Sequence, residues 1–189
     1  MADIPEPIKR RMIADGLRAK AESFIEQRVD RYIEASHHGM IPHHHFAPAS
    51  AECISLYTDG YFYSTVMVAQ SVAEGISRFI AERNGIEFDK KMSGPRILDL
   101  LIEKRVISKE YRDAFGRLWE RRNDVHHMKP TVDDIPFPDL AKRSIQDLAA
   151  IEQEVFAFTL SAGKIVPANP KYWDIRADGT AAVFLRLSP

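Results

Sequence analysis

Apolar residues recur every three or four positions through most of this chain, and the recurrence breaks at glycines and prolines. That spacing lines one face of a 3.6-residue helix, so the chain is committed to helices that bury their apolar faces on one another. Ile13, Leu17, Ala21, Phe24, Arg28 or Val29, and Tyr32 mark the first, a long amphipathic helix from Ile8 to about Ser36. A loop with Gly39, Pro42 and Pro48 follows. A second helical region runs from Ser50 through Val68, Val72, Ile76, Phe79 and Ile80, kinked at Asp59-Gly60 and stopped by Asn84-Gly85.

After a turn at Gly94-Pro95, Ile97 to Lys104 forms a short helix. Ser108 is a good N-cap for the next helix, Lys109 to Met128, which Lys129-Pro130 ends because the residue before proline leaves the helical region. Leu148, Ile151, Val155 and Phe158 mark a last core helix that stops at Ser161-Ala162-Gly163. In the tail, Tyr172–Ile175 and Ala182–Leu185 flank an Asp178-Gly179 turn, the pattern of a β-hairpin. A lone hairpin is marginal in water, so this one must pack on the bundle or add to another chain's sheet.

The expected fold is all-α, an antiparallel helical bundle with a long N-terminal helix and a small C-terminal β-hairpin. Its expected parts are residues 1–49 (N-terminal helix and histidine-rich loop), 50–163 (helical core) and 164–189 (hairpin appendage).

With 189 residues, 45% of them hydrophobic and 28% charged, the chain suits one soluble globular domain. No apolar run reaches the ~18 residues of a membrane span, and Met1-Ala2-Asp3 opens no basic-then-apolar leader, so no membrane and a cytoplasmic location are expected. The only cysteine, Cys53, excludes an internal disulfide and reads as a small buried hydrophobe. A net charge of −1 argues against bulk coating of nucleic acid. Yet Lys104 to Pro130 holds eight Lys or Arg against four Asp or Glu, a local basic segment able to hold a phosphate-bearing ligand.

Within that segment lies Arg122-Asn123-Asp124-Val125-His126-His127. On a continuous helix, Phe115, Leu118 or Trp119, Arg122, and Val125 or His126 share one stripe, so Arg122 takes a place where the pattern asks for a hydrophobe. A buried guanidinium needs a carboxylate, a subunit boundary or an open cleft. Glu74, on the second helical region, is the natural carboxylate, and Arg122–Glu74 then reads as a purely structural ion pair. The alternative is chemistry: a histidine near neutrality takes the proton of a ribose 2′-hydroxyl while an arginine holds the scissile phosphate.

The motif and its setting resemble the HEPN (higher eukaryotes and prokaryotes nucleotide-binding) domains, helical bundles carrying Arg, four to six residues, then His, with a polar residue commonly after the Arg. Ile97-Leu98-Asp99-Leu100-Leu101, Val106-Ile107-Ser108 and Leu118-Trp119-Glu120-Arg121 are similar to the family's short helix, turn and motif helix. The resemblance spans roughly residues 50–161. It implies a homodimeric, metal-independent endoribonuclease of toxin, phage-defence or RNA-processing type, with RNA or a nucleotide as ligand, a cognate antitoxin as a further partner and no cofactor. It equally admits a non-catalytic module that binds RNA, a nucleotide or a protein.

Carried over by position, His127 is the general base, Arg122 the phosphate ligand and Asn123 the orienting residue. Arg121 with His126 gives a second register of the same spacing. Residues five apart on a straight helix point about 140° from one another, so a dimer or a distortion before Pro130 must bring Arg122 and His127 together.

His37, His38, His43, His44 and His45 put five imidazoles within nine residues and are candidate metal ligands, or else a polar loop that meets RNA or a partner subunit. No His-Glu-x-x-His or cysteine pair accompanies them. Tyr61-Phe62-Tyr63 reads as core more readily than as a base-stacking platform.

Overall fold

A computed structural model describes residues 4–35, 37 and 39–186. The leader reading at Met1-Ala2-Asp3, the expected helix end at Ser36 and the candidate ligand His38 lie outside the described residues. The chain is predominantly helical with two small two-stranded sheets. No helix among the described residues is long and apolar enough to cross a membrane.

The expected first helix is two. α1 (Glu6–Ser23) starts with Pro5 at its N-cap and Pro7 in its first turn, where a missing N–H costs nothing, and α2 (Ile25–Ala35) follows a break at Phe24. The apolar residues that suggested a buried face are outside the core: α1 buries no residue, and Leu17 is 64% exposed. Helical spacing gives α1 its backbone, but its principal contact is α2, so it lies off the bundle.

The expected kink at Asp59-Gly60 is a full reversal between α3 (Ala47–Thr58) and α4 (Phe62–Arg83), which pack on each other as a helical hairpin. Gly60 turns the chain at φ 84°, where a side chain would be strained. α4 is the central post, packed on α3, α5 (Gly94–Glu103), α6 (Lys109–Trp119) and α8 (Phe137–Phe156). Its Val66, Ala69, Val72, Ala73, Ile76 and Ile80 are all buried. It ends as its Asn-Gly signal requires: Gly85 N–H donates to Glu82 O (3.0 Å) and Ile86 N–H to Ala81 O (2.9 Å), a Schellman closure.

Ser108 caps α6 by accepting the Tyr111 N–H at 3.0 Å. The carboxylate that a full capping box would place three residues later comes instead from α8. Glu154 accepts from both the Ser108 N–H (3.0 Å) and its hydroxyl (2.6 Å). Cys53 is buried, donates to Thr65 O at 3.4 Å, and burial pushes its thiol pKa up, as an inert core residue requires.

Three further expectations are corrected. The helix expected over Lys109–Met128 breaks at Glu120-Arg121, and the motif occupies a separate turn, α7 (Arg122–His126). Ser161-Ala162-Gly163 is no helix stop. α8 ends at Phe156, and Ala162 and Gly163, both at positive φ (49° and 75°), turn a hairpin between β2 (Phe158–Ser161) and β3 (Lys164–Pro167). The Asp178-Gly179 turn forms, with Arg176 N–H donating to Thr180 O at 2.8 Å, but its arms share only the bridge Ile175–Ala181.

The tail strand β4 (Val183–Leu185) pairs instead with β1 (Met40–Pro42), inside the stretch expected to be a loop. Trp173 and Tyr172 are needed as core, which takes the first hairpin arm away from the ladder. Arg186 then enters the bundle and meets Glu152 of α8 at 2.5 Å, with Ser50 bonded to both.

Candidate functional site

α7 is a single turn held to α4 by three anchors. Val125 is fully buried, and its carbonyl accepts from the Tyr63 hydroxyl at 2.5 Å. His126 Nε2 lies 3.0 Å from Gln70 Oε1. Gln70 is buried on α4, and its Nε2 donates to Leu118 O at 2.7 Å, at the end of α6. Because that amide nitrogen faces a carbonyl, its oxygen faces the imidazole, so His126 Nε2 is the protonated nitrogen and Nδ1 is left with a lone pair. Burial lowers the His126 pKa below its ordinary 6.5, reinforced by the charges of Arg122 and His127 and opposed by Glu74, so the ring is neutral at pH 7.

The backbone ends this turn abruptly. Met128 adopts φ 47°, and Lys129, ahead of Pro130, is extended (ψ 154°), as proline demands of its predecessor. This leaves His127 and Asn123 exposed. Among the described residues, neither side chain has a hydrogen-bond partner.

Arg122 is not the buried arginine that the continuous stripe requires, because the break at Glu120-Arg121 resets the helical phase. Its side chain is 33% exposed and its guanidinium lies over the Trp119 ring, 4.5 Å from the centroid. Glu74 Oε2 is at 4.0 Å, the outer limit of an ion pair, while its Oε1 accepts from Arg78 one turn along α4, at 2.8 Å. Trp119 is fixed in turn by stacking on Phe115 (centroids 5.2 Å apart) and by Gly94, where a Cβ would stand 2.8 Å from the indole. What the sequence offered as a plain turn at Gly94-Pro95 is the first turn of α5 and the seat of that ring.

The alternative register fares differently. Arg121 reaches Asp124 at 3.4 Å, and Asp124 also takes Lys129 at 3.0 Å, the larger cause of its lowered pKa. Arg121 lines two adjoining hollows of about 230 and 250 Å³ with Arg143 and Leu140, and Glu120, Asp147 and Asp134 share their walls. Arg117 joins the first, clasped by Asp147 at 2.5–3.1 Å. The expected basic segment thus faces a groove beside the motif, and α8 contributes an arginine that the sequence reading did not include.

The histidine cluster disperses. His44 turns inward, its Nε2 donating to Tyr172 O at 3.1 Å and its ring 4.2 Å from that of Phe79, and burial lowers its pKa. His43 leans on Phe184, His45 on Phe46 and His37 on Tyr32. Among the described residues, no three His, Cys, Asp or Glu side chains gather into a metal-binding group. Of the aromatic triplet, Phe62 and Tyr63 are half-buried, while Tyr61 is exposed.

Gln70 and Arg78 were not singled out from sequence, while Trp119 was read only as part of the motif helix and Tyr63 only as core or a stacking platform. A glutamine amid Val66, Ala69, Val72 and Ala73 was the legible signal, because a buried amide must satisfy its hydrogen bonds. Comparison with known protein families, curated proteins and solved structures finds no match.

Proposed function

We propose that the chain is a HEPN-type, metal-independent endoribonuclease that works as a homodimer in a toxin, defence or RNA-processing role. The observation that carries this reading is that Arg122 and His127 face solvent from a turn rigidly docked to α4 while neither is committed to a strong structural partner. In the proposed reaction His127 takes the 2′-hydroxyl proton and the 2′-oxygen attacks the adjacent phosphorus. The bond to the 5′-oxygen breaks, and that oxygen takes a proton from water. Products are a 2′,3′-cyclic phosphate and a 5′-hydroxyl. Arg122 neutralises the phosphorane, Asn123 orients the pair, and neutral His126, fixed by Gln70, holds its place beside them. In the groove beside the motif, Arg117 and Arg121 are answered by Asp147 and Asp124, and Arg143 is the cation offered to a flanking phosphate.

A second reading, a non-catalytic module that binds RNA, a nucleotide or a protein such as an antitoxin, is favoured by one observation. Among the described residues no hydrogen bond joins Arg122 to His127. Mixed RNAs incubated with the protein in chelator separate the two. The first reading expects new 2′,3′-cyclic phosphate ends from wild type and none from Arg122→Ala or His127→Ala. Intact RNA in every tube, with binding retained, leaves only the second. If His126→Ala abolishes cleavage and His127→Ala does not, the base is the other imidazole.

A further inference from the structure

The N-terminal arm, residues 4–33, carries nine of the fifteen large apolar side chains that are exposed among the described residues. Single apolar residues scatter over any protein surface, whereas a concentration on one segment marks an interaction site. α1 buries nothing. On α2 the inward side is taken by Arg28, which pairs with Asp59 at 2.8 Å, and by Arg31, which donates to Thr58 O at 3.1 Å. Ile25, Val29 and Ile33, one turn apart, are left as a stripe 46–70% exposed.

The placing of the apolar residues around α1 decides what kind of cover they need. Arg11, Asp15 and Arg18 form a polar ridge, with Asp15 3.9 Å from the first and 2.9 Å from the second. The rows Ile8–Met12 and Ile13–Leu17, five residues apart, lie on different sides of the helix, about 140° from one another. A helix resting on a membrane surface buries one side only. One that is apolar on two sides has to be held between other helices. Beside Leu17 and Phe24, a groove of about 420 Å³ runs to Tyr61 and Phe62 at the start of α4, and a further helix can lie there.

Charge identifies the occupant. α1 has five Lys or Arg against three Asp or Glu. Its Lys9 and Lys20 have no ion-pair partner among the described residues, and helical spacing sets them in line with Ile13 rather than on the polar ridge. Glu26 and Asp30, each one residue after a member of the α2 stripe, are likewise unpaired. The arm thus carries apolar rows beside free cations on α1 and an apolar stripe beside free carboxylates on α2. A second copy of the same arm, turned by a two-fold rotation, is complementary to it. The same carboxylates repel an anionic lipid surface. The nine side chains, each about half exposed, offer on the order of 800 Å² per copy, one side of a standard interface.

We propose that residues 4–33 are a dimerisation arm, on which α1 of one copy lies against α2 of its partner, apolar rows interlocked and lysines facing carboxylates. The proposal rests on the homodimer put forward above, whose surface it names, and not on RNA cleavage.

Sedimentation equilibrium of the full chain over a range of concentrations tests this. Wild type should be a dimer. Val29→Glu combined with Ile33→Glu should give a monomer with unchanged helical circular dichroism, because both side chains are exposed in the single copy. Two charge reversals, Glu26→Lys with Asp30→Lys and Lys9→Glu with Lys20→Glu, should each weaken self-association on the order of tenfold. An equal mixture of the two reversed proteins should regain the dimer, since opposite charges again face each other. A wild-type dimer indifferent to all these changes overturns the arm and leaves the homodimer standing. Wild type that stays monomeric at every concentration overturns both, whatever else the arm binds. Cyclic phosphate ends on RNA report on catalysis separately.

Discussion

Arg186 and Arg122 each lie within reach of a glutamate on a core helix, yet the fold treats them oppositely. Arg186 is 2% exposed, faces a Glu152 that is 1% exposed, and shares Ser50 with it. Arg122 is a third exposed, rests on an indole, and stands at the limit of reach of a carboxylate whose other oxygen binds Arg78. Breaking one partner of a buried ion pair strands the other charge, whereas a half-exposed guanidinium at the edge of reach keeps its hydration and its freedom. The first arginine fastens the tail to the core, and the second is held only loosely.

That contrast predicts a graded set of outcomes. Glu152→Ala should lower unfolding free energy by about 3–5 kcal/mol in urea titrations, since it leaves Arg186 buried and uncompensated. A loss below about 1 kcal/mol would put Arg186 in the same class as Arg122. Gly94→Ala comes next: pushing the indole off its seat should cost about 1–3 kcal/mol as overpacking and shift Trp119 fluorescence. Acid should weaken the fold more gently.

His126 and His44 have folded pKa values below their ordinary 6.5, so below that pH the unfolded chain binds protons that the folded chain refuses. Their contribution is complete above pH 6.5 and falls away as the pH drops through the folded values. His44→Phe, which keeps the packing on Phe79, should flatten the urea midpoint between pH 6.5 and 5, and an unchanged slope would count against it. Smallest of all, Arg122→Ala should shift stability by less than about 1 kcal/mol, the range of an exposed cation–π contact and a loose ion pair.

The all-helical class, the capped ends of α4 and α6 and the placing of Cys53 were legible because each rests on local chemistry: spacing, a Ser cap, an Asn-Gly stop. What was not legible depended on partners distant in sequence. Phe158 continues the spacing of α8, yet positive φ at Ala162 and Gly163 turns the chain into a hairpin. Ala182–Leu185 is an apolar run suited to a hairpin arm, but its partner lies among the histidines rather than across the Asp-Gly turn.

At the site, Arg122 and His127 could be picked out by residue type. Their release from structural duty could not, because it depends on the break at Glu120-Arg121, on Arg78 claiming Glu74, and on Gln70 holding His126. α1 shows the same limit from the other side, with its helical pattern intact and its apolar residues exposed.

The freedom of Arg122 is tested most directly by measuring stability and RNA cleavage on one preparation of Arg122→Ala. The expected outcome is an unfolding midpoint close to wild type together with loss of 2′,3′-cyclic phosphate ends. A variant that unfolds several kcal/mol more easily, or that cleaves as wild type does, would contradict it.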